Sequence, residues 1–358
     1  MPRILLLIES IGSGGAERQL TGLAAMLQHQ DYQVQICYYV KQEFYLPFLQ
    51  KNGVKSLFLP GASNKKSRLI AIRKIIKSYN PHTVISYSTS PSMITCLLKL
   101  FGAKYNLIVS ERNTTQQITI RERLKFFLYR WSDYIVSNSY SQSIFISNHF
   151  PNLIHKIHVI TNFVDTELFS PLYNKLSNNE VMRIVCVGRL MPQKNIIRFL
   201  EAVHRVVSDG YKIHVDWYGQ DLKDSYSAVC HEKVKSLHME DTFLFHAPSP
   251  FIHKEYRSAD LFCLPSLYEG FPNVLCEAMS CGIPVLCGKV CDNPRIVTEG
   301  ENGFFFDPYS LESIVLMVET YLDLPLKKKI EMGEKSREKA IVMFSQSFFI
   351  QQYRALIK

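Results

Sequence analysis

The chain has 358 residues, 47% of them hydrophobic and 20% charged, which is ordinary for a soluble α/β protein and long enough for about two domains with separate cores. Its net charge of +9 comes without a zinc-finger spacing, an RNP-like segment or an Arg-rich tail, so nucleic acid is not an expected partner. No apolar run approaches the roughly 18 residues that a membrane span needs, and Met1-Pro2-Arg3-Ile4 leads straight into a strand rather than a signal sequence.

Strand-like runs recur at 3–8, 34–39, 56–59, 83–87, 106–110, 134–138 and 157–161, then at 182–187, 213–218, 242–246, 260–264, 284–287 and 303–306. Helical patterns fall between most of them, which argues for parallel sheets with right-handed crossovers. The series restarts after the polar segment Tyr173 to Glu180, which reads as a linker. The expectation is an α/β chain of two domains, 1–172 and 173–342, with a final helix at about 343–358 returning to the first.

Three βα turns carry candidate chemistry. The first run gives way to Glu9-Ser10-Ile11-Gly12-Ser13-Gly14-Gly15-Ala16-Glu17-Arg18, and helix periodicity continues through Leu20, Leu23, Ala24 and Leu27. Glycines such as Gly14 and Gly15 let backbone approach a ligand closely, although many βα turns are glycine-rich for packing alone. Neither the full Gly-x-Gly-x-x-Gly nor the P-loop spacing is present.

The run 182–187 ends in Gly188-Arg189-Leu190, followed by Met191-Pro192-Gln193-Lys194-Asn195 and an amphipathic helix at 196–207. This order places Arg189 and Lys194 at a strand's carboxyl end, where ligands bind in open α/β sheets. Two cations on one turn suit a diphosphate, Arg as a fork and Lys as a point charge, whose charge develops as it leaves. A structural salt bridge is the competing use of the same side chains.

The apolar run 260–265 leads into Ser266-Leu267-Tyr268-Glu269-Gly270-Phe271-Pro272-Asn273-Val274-Leu275-Cys276-Glu277. Pro272 suits a helix start, and the amides of Gly270 to Val274 then offer donors to phosphate or sugar oxygens. Glu269 on the loop and Glu277 one turn inside the helix can each accept hydrogen bonds from vicinal hydroxyls, as a ribose and a hexose present together. A dipole partner and a solvated helix face are the bland alternatives. His246 follows a strand and lines a base pocket in the functional reading, against a satisfied structural role in the other.

Charge is unevenly shared. Residues 1–175 hold 20 Lys and Arg against 9 Asp and Glu, whereas 176–358 hold 21 against 23. The excess concentrates in Lys65, Lys66, Arg68, Arg73, Lys74 and Lys77, with no acid from Ala62 to Tyr79, and in Arg121, Arg123, Lys125 and Arg130 among Leu124, Phe126, Phe127, Leu128, Tyr129 and Trp131. Basic residues mixed with bulky apolar ones suggest a surface for anionic headgroups, worth about 1 kcal/mol per cation; solvated helix faces are the alternative. The nine cysteines suit reduced core thiols, and Cys276, Cys281, Cys287 and Cys291 lack the paired spacing of a zinc site. No Asp-x-Asp pair occurs, which argues against a metal-held diphosphate, and neither a metal nor another cofactor is expected.

Together, Gly14-Gly15-Ala16-Glu17-Arg18, Gly188-Arg189-Leu190 with Lys194-Asn195, and Glu269 with Glu277 followed by Ala278-Met279-Ser280-Cys281-Gly282-Ile283-Pro284-Val285 resemble family 4 of the retaining glycosyltransferases. Thr161-Asn162-Phe163-Val164-Asp165 and the stretch 300–307 extend the likeness to nearly the whole chain. The resemblance implies the GT-B architecture, two Rossmann-like domains facing one another across a cleft, and a nucleoside-diphosphate sugar used without a metal. It implies Glu277 on the ribose, Glu269 on the transferred sugar, Arg189 and Lys194 on the diphosphate, and Gly14 or Gly15 completing the shell. It further implies retained configuration, with the departing phosphate taking the acceptor proton. Where many relatives carry a histidine, this chain has Ser110-Glu111-Arg112-Asn113, which makes Glu111 and Arg112, with Glu17, the acceptor-side candidates.

The Gly-Gly-Ala-Glu-Arg turn is similar to members that extend lipid-linked or polysaccharide precursors in bacteria, so the resemblance implies a UDP-sugar donor, an undecaprenyl-diphosphate-linked acceptor and a cytoplasmic enzyme on the inner face of the membrane. A nicotinamide-dependent oxidoreductase is one rival, but it requires an acid ending the second strand, where Tyr38-Tyr39-Val40-Lys41 stands. A non-enzymatic membrane-binding protein is the other, and it gives no reason for Glu269, Glu277, Arg189 and Lys194 to occur together.

Overall fold

Short apolar runs such as Thr83–Tyr87 and Leu261–Leu264 are buried along their whole length, as strands of parallel sheets covered on both faces must be. The computed structural model describes residues 1–62, 64–112, 115, 117–172 and 180–358. It divides into two units, Met1–Phe163 with Gln346–Lys358, and Val164–Ser345.

In the first unit, strands β1 (Arg3–Leu7), β2 (Gln33–Tyr38), β3 (Lys55–Phe58), β4 (Thr83–Tyr87), β5 (Asn106–Glu111), β6 (Tyr134–Ser137) and β7 (Ile157–Val159) form one parallel sheet. Their order is β3-β2-β1-β4-β5-β6-β7. Helices α1 (Gly15–Gln28), α2 (Leu46–Lys51), α3 (Lys65–Tyr79), α4 (Thr89–Leu100), α5 (Ile120–Leu128) and α6 (Tyr140–His149) cover it. Asn64 and Ser67 make a reciprocal capping box on α3, and Thr119 caps α5, each satisfying amides that a helix start leaves free.

In the second unit, β8 (Met182–Val187), β9 (Ile213–Tyr218), β10 (Phe243–His246), β11 (Leu261–Leu264), β12 (Val285–Gly288) and β13 (Gly303–Phe306) are parallel in the order β10-β9-β8-β11-β12-β13. Its helices are α7 (Ile196–Ser208), α8 (Ser225–Ser236), α9 (Ile252–Ser258), α10 (Asn273–Ser280), α11 (Asn293–Ile296), α12 (Leu311–Leu322) and α13 (Leu326–Phe344). The apolar stripe of α7, including Phe199, Leu200 and Val203, packs with Trp217 and Phe243 on one face of the sheet. Tyr256, Leu275, Met279 and Phe344 build the core on the other.

Helix α14 (Gln346–Arg354) then returns to the first unit, where Phe349, Ile350, Tyr353 and Leu356 are buried with Leu23 and Phe163. The boundary near the middle of the chain falls between Phe163 and Val164 rather than at 172/173. The reason is local: the Val164 amide donates to Phe344 O at 2.9 Å, Phe169 is buried against Tyr256, and Arg337 donates to the carbonyls of Thr166 and Phe169. Residues 173–179 of the expected linker lie outside the described residues.

In both sheets the strand order reverses once, between β1 and β4 and between β8 and β11, while all strands stay parallel. At such a switch point neighbouring strands send their connections to opposite faces, which leaves a crevice at the carboxyl ends. The Gly14 turn follows β1, the Lys194 turn follows β8 and the Glu269 loop follows β11. The three segments of interest therefore sit at switch points because of strand order, a property no local pattern carries.

Candidate active site

The turn after β8 is built on close backbone approach. A Cβ on Gly219 would lie 1.9 Å from Gly188 O, so only glycine fits there, and the Trp217 indole donates to the same carbonyl at 2.8 Å. A Cβ on Gly188 would meet the Lys194 stem at 3.0 Å, so the glycine leaves room for that stem to lie against the strand end.

This directs the Lys194 ammonium to Glu269, whose Oε1 is 2.6 Å from Nζ, with only 14% and 9% of the two side chains exposed. The two loops are also stitched through their backbones. Gln193 Nε2 donates to Tyr268 O at 2.7 Å, and the Leu267 amide donates to Gln193 O at 2.9 Å. Arg189, on the same turn, is exposed and makes no side-chain hydrogen bond or ion pair among the described residues. Thus the structure joins two of the predicted site residues in one ion pair and leaves a second cation beside them.

Glu277 is buried inside α10, with the Tyr256 hydroxyl donating to its Oε2 at 3.4 Å. The turn between the two glutamates is less open than expected. Phe271 is buried edge-on against Phe344, the Asn273 amide bonds to Phe271 O, and Val274 packs on the same core. The Phe271 ring therefore packs into the core and the Asn273 amide is engaged within the turn, whereas the amides of Gly270 to Val274 were expected to face a ligand. Pro272 precedes the first residue of α10, in keeping with its fixed φ. The Glu269 amide is held by Cys291 Sγ at 3.5 Å, a contact that nothing in the spacing of the cysteines signalled.

His246 has the partners that the structural alternative requires. Its Nε2 donates to Asp216 at 2.6 Å and its ring stacks on Tyr218, 4.6 Å between centroids. Asp216 in turn accepts from Arg183 Nε at 2.6 Å. Burial pushes the Asp216 carboxyl up, and the hydrogen bonds from Arg183 and His246 outweigh it, so its pKa lies below the usual carboxylate value. Period-2 alternation puts Asp216 and Tyr218 on the same face, and their neighbours across the sheet complete the network.

In the first unit, the Glu17 carboxylate occupies the space a Cβ on Gly14 would need, and Ser10 Oγ donates to it at 3.2 Å. Two acceptor-side expectations are corrected. Glu111 is buried, paired with Lys125 Nζ at 2.8 Å and bonded by the Tyr129 hydroxyl. Burial, reinforced by that carboxylate, raises the Tyr129 hydroxyl well above its ordinary range and keeps it a donor. Arg112 spends its guanidinium on Ser110 Oγ, Asn162 Oδ1 and the hydroxyls of Tyr87 and Tyr353. Both side chains tie elements together in place of facing a ligand.

Known families match both halves of the chain. Residues 13–168 match the family described as Glycosyltransferase Family 4, and residues 174–339 match Glycosyl transferases group 1. The amylovoran biosynthesis glycosyltransferase of Erwinia amylovora is 26% identical over 87% of this chain and 88% of its own length. A Campylobacter jejuni N-acetylgalactosamine-N,N'-diacetylbacillosaminyl-diphospho-undecaprenol 4-alpha-N-acetylgalactosaminyltransferase is 26% identical over 95% of this chain and 96% of its own. Among solved structures, HepE of Anabaena in complex with UDP and glucose superposes with a TM-score of 0.86, at 18% identity over 99% of each chain. Two parallel-sheet α/β units, with this structural likeness over the whole chain, define a GT-B fold. The chain belongs to glycosyltransferase family 4 and is a glycosyltransferase.

Proposed function

We propose that the protein moves a hexose or N-acetylhexosamine from a nucleoside-diphosphate sugar, with UDP as the carrier, to a hydroxyl of a lipid-linked saccharide or polysaccharide precursor, with retention and without a metal. The observation that carries this reading is the buried Lys194–Glu269 pair beside exposed Arg189 at the β8/β11 switch point. A diphosphate entering there competes for Lys194 and engages Arg189, which frees the Glu269 carboxylate to accept hydrogen bonds from the hydroxyls of the sugar. Glu277 takes the ribose. As the anomeric C–O bond breaks, the cations stabilise the charge on the leaving phosphate, whose oxygen accepts the proton of the attacking hydroxyl. The lipid-linked acceptor rests on what the Campylobacter relative's name says of that enzyme, and UDP on the ligand of the Anabaena structure.

The test is mass-resolved release of UDP or GDP from a panel of nucleotide sugars, with undecaprenyl-diphosphate-linked saccharides as acceptors and the product anomer read by NMR. Turnover unchanged by EDTA, with configuration retained, is the expected result. Absence of nucleotide release across the panel, or NAD(P)H-linked activity instead, overturns the reading.

The same proposal places the enzyme on an anionic membrane surface on the cytoplasmic side. Among the described residues no helix is long and apolar enough to cross a membrane. On α5, however, Ile120, Leu124 and Phe127 project at helical spacing with 88%, 52% and 47% of their surface exposed. Arg121, Arg123 and Arg130 are exposed beside them. Lys125, Phe126, Leu128 and Tyr129, predicted to share this surface, are buried in the core. Lys65, Lys66, Arg73, Lys74 and Lys77 extend the basic area along α3, which packs on α4 as α5 does. Sedimentation with phosphatidylglycerol vesicles is expected to fall with added salt, and further on Leu124→Glu with Phe127→Glu. Binding that is absent, or indifferent to both, removes the membrane from the proposal.

A further inference from the structure

Asn195 follows Lys194 and stands at the start of α7, yet it does not cap the helix. An asparagine there ordinarily gives its side-chain oxygen to an amide of the first turn; here no such bond forms. Instead the side chain, 6% exposed, sends Nδ2 to Pro265 O at 3.2 Å and to Pro308 O at 2.7 Å, while Oδ1 accepts from Arg198 Nη1 at 3.1 Å. Pro265 follows β11 on the way to Glu269, and Pro308 follows β13. One amide therefore binds the connections after β8, β11 and β13, reaching across the end of β12. The backbone cooperates: Asn195 has φ 57° and ψ 35°, a left-handed conformation that asparagine and glycine adopt more readily than other residues.

Lys194 lies between this clasp and Gln193, which holds the Glu269 loop from the other side. We infer that Asn195 is a positioning residue for sugar transfer, fixing Lys194 opposite Glu269 by locking the three loops, with Gln193 as its counterpart. This rests on the reading of Lys194 as the group that meets the diphosphate. An ammonium on a four-carbon stem is held in place only if the turn beneath it is held, and a displacement of about 1 Å at such a group costs up to about 100-fold in rate.

Asn195→Gly is the informative variant, because glycine accepts the left-handed backbone and only the amide is lost. It is expected to lower kcat about 10- to 100-fold with the donor KM changed less than about threefold, and to have less than about a twofold effect when Lys194 is already alanine. Gln193→Ala should show the same dependence on Lys194 and serves if Asn195→Gly does not fold. A separate readout needs no turnover: modification of Lys194 by an amine-reactive reagent in the ligand-free protein, followed by peptide mass spectrometry, is expected to accelerate several-fold in both variants. Full additivity with Lys194→Ala, or Lys194 labelling unchanged from the parent, overturns the inference. A parent that turns over no nucleotide sugar defeats the proposed function instead, and the labelling rate still decides the clasp.

Discussion

Lys194→Ala is expected to lower kcat/KM for the sugar donor about 100- to 1,000-fold, the range seen when one charge-stabilising donor is removed from an active site. Two effects act together. The leaving diphosphate loses a cation at the moment its charge develops, and Glu269, 9% exposed, loses the partner 2.6 Å away that justifies its burial. Lys194→Arg restores a positive charge but brings a longer planar fork against Gly188, where the lysine stem already fits closely, so partial recovery is expected. Steady-state kinetics with varied donor and saturating acceptor give the number, and thermal unfolding shows whether the second unit remains folded. Activity within about threefold of the parent would refute the assignment of Lys194, whatever the fold.

The second large effect is on stability. Glu111→Ala leaves Lys125, with 4% of its side chain exposed, buried without a counter-charge, and removes the acceptor of the Tyr129 hydroxyl. Breaking one side of a buried pair costs about 3–5 kcal/mol, a large share of what holds a domain together. The first unit's transition in urea is therefore expected at a much lower midpoint. Replacing both partners with methionine should recover most of the loss, because two uncharged chains of similar volume remove the desolvation penalty along with the attraction. A Glu111→Ala protein that unfolds like the parent and loses only acceptor turnover would show that the residue meets substrate after all.

Glu111 and Arg112 also show where reading along the chain stops. Each is a charged residue at the end of a strand, in the neighbourhood where a ligand group is expected, and so is Lys194. What separates them is their partners. Arg112 is engaged by Tyr353, 241 positions later on a helix that returns to the first unit, and Glu111 by Lys125 and Tyr129 on the far side of the loop that follows it. His246 is claimed by Asp216, 30 positions earlier, because β9 and β10 lie side by side. None of these pairings has a local signature.

The strands were legible because parallel sheets are covered on both faces, which turns each strand into a continuous apolar run bounded by turn residues. All thirteen expected runs are strands, with ends that differ by two residues at most. The glycine turn, the Arg189–Lys194 turn and the Glu269–Glu277 loop were equally legible as connections after strands, since glycine and proline report backbone needs. Strand order was not, and it is what brings the connections after β8 and β11 together. The sequence by itself determined which elements form and which residue types stand at their ends, because hydrophobic period and turn chemistry act over a few neighbours. Only the tertiary structure decided which of those charges are spent inside the fold and which stay exposed, because burial and ion pairing depend on residues that the chain brings together from far apart.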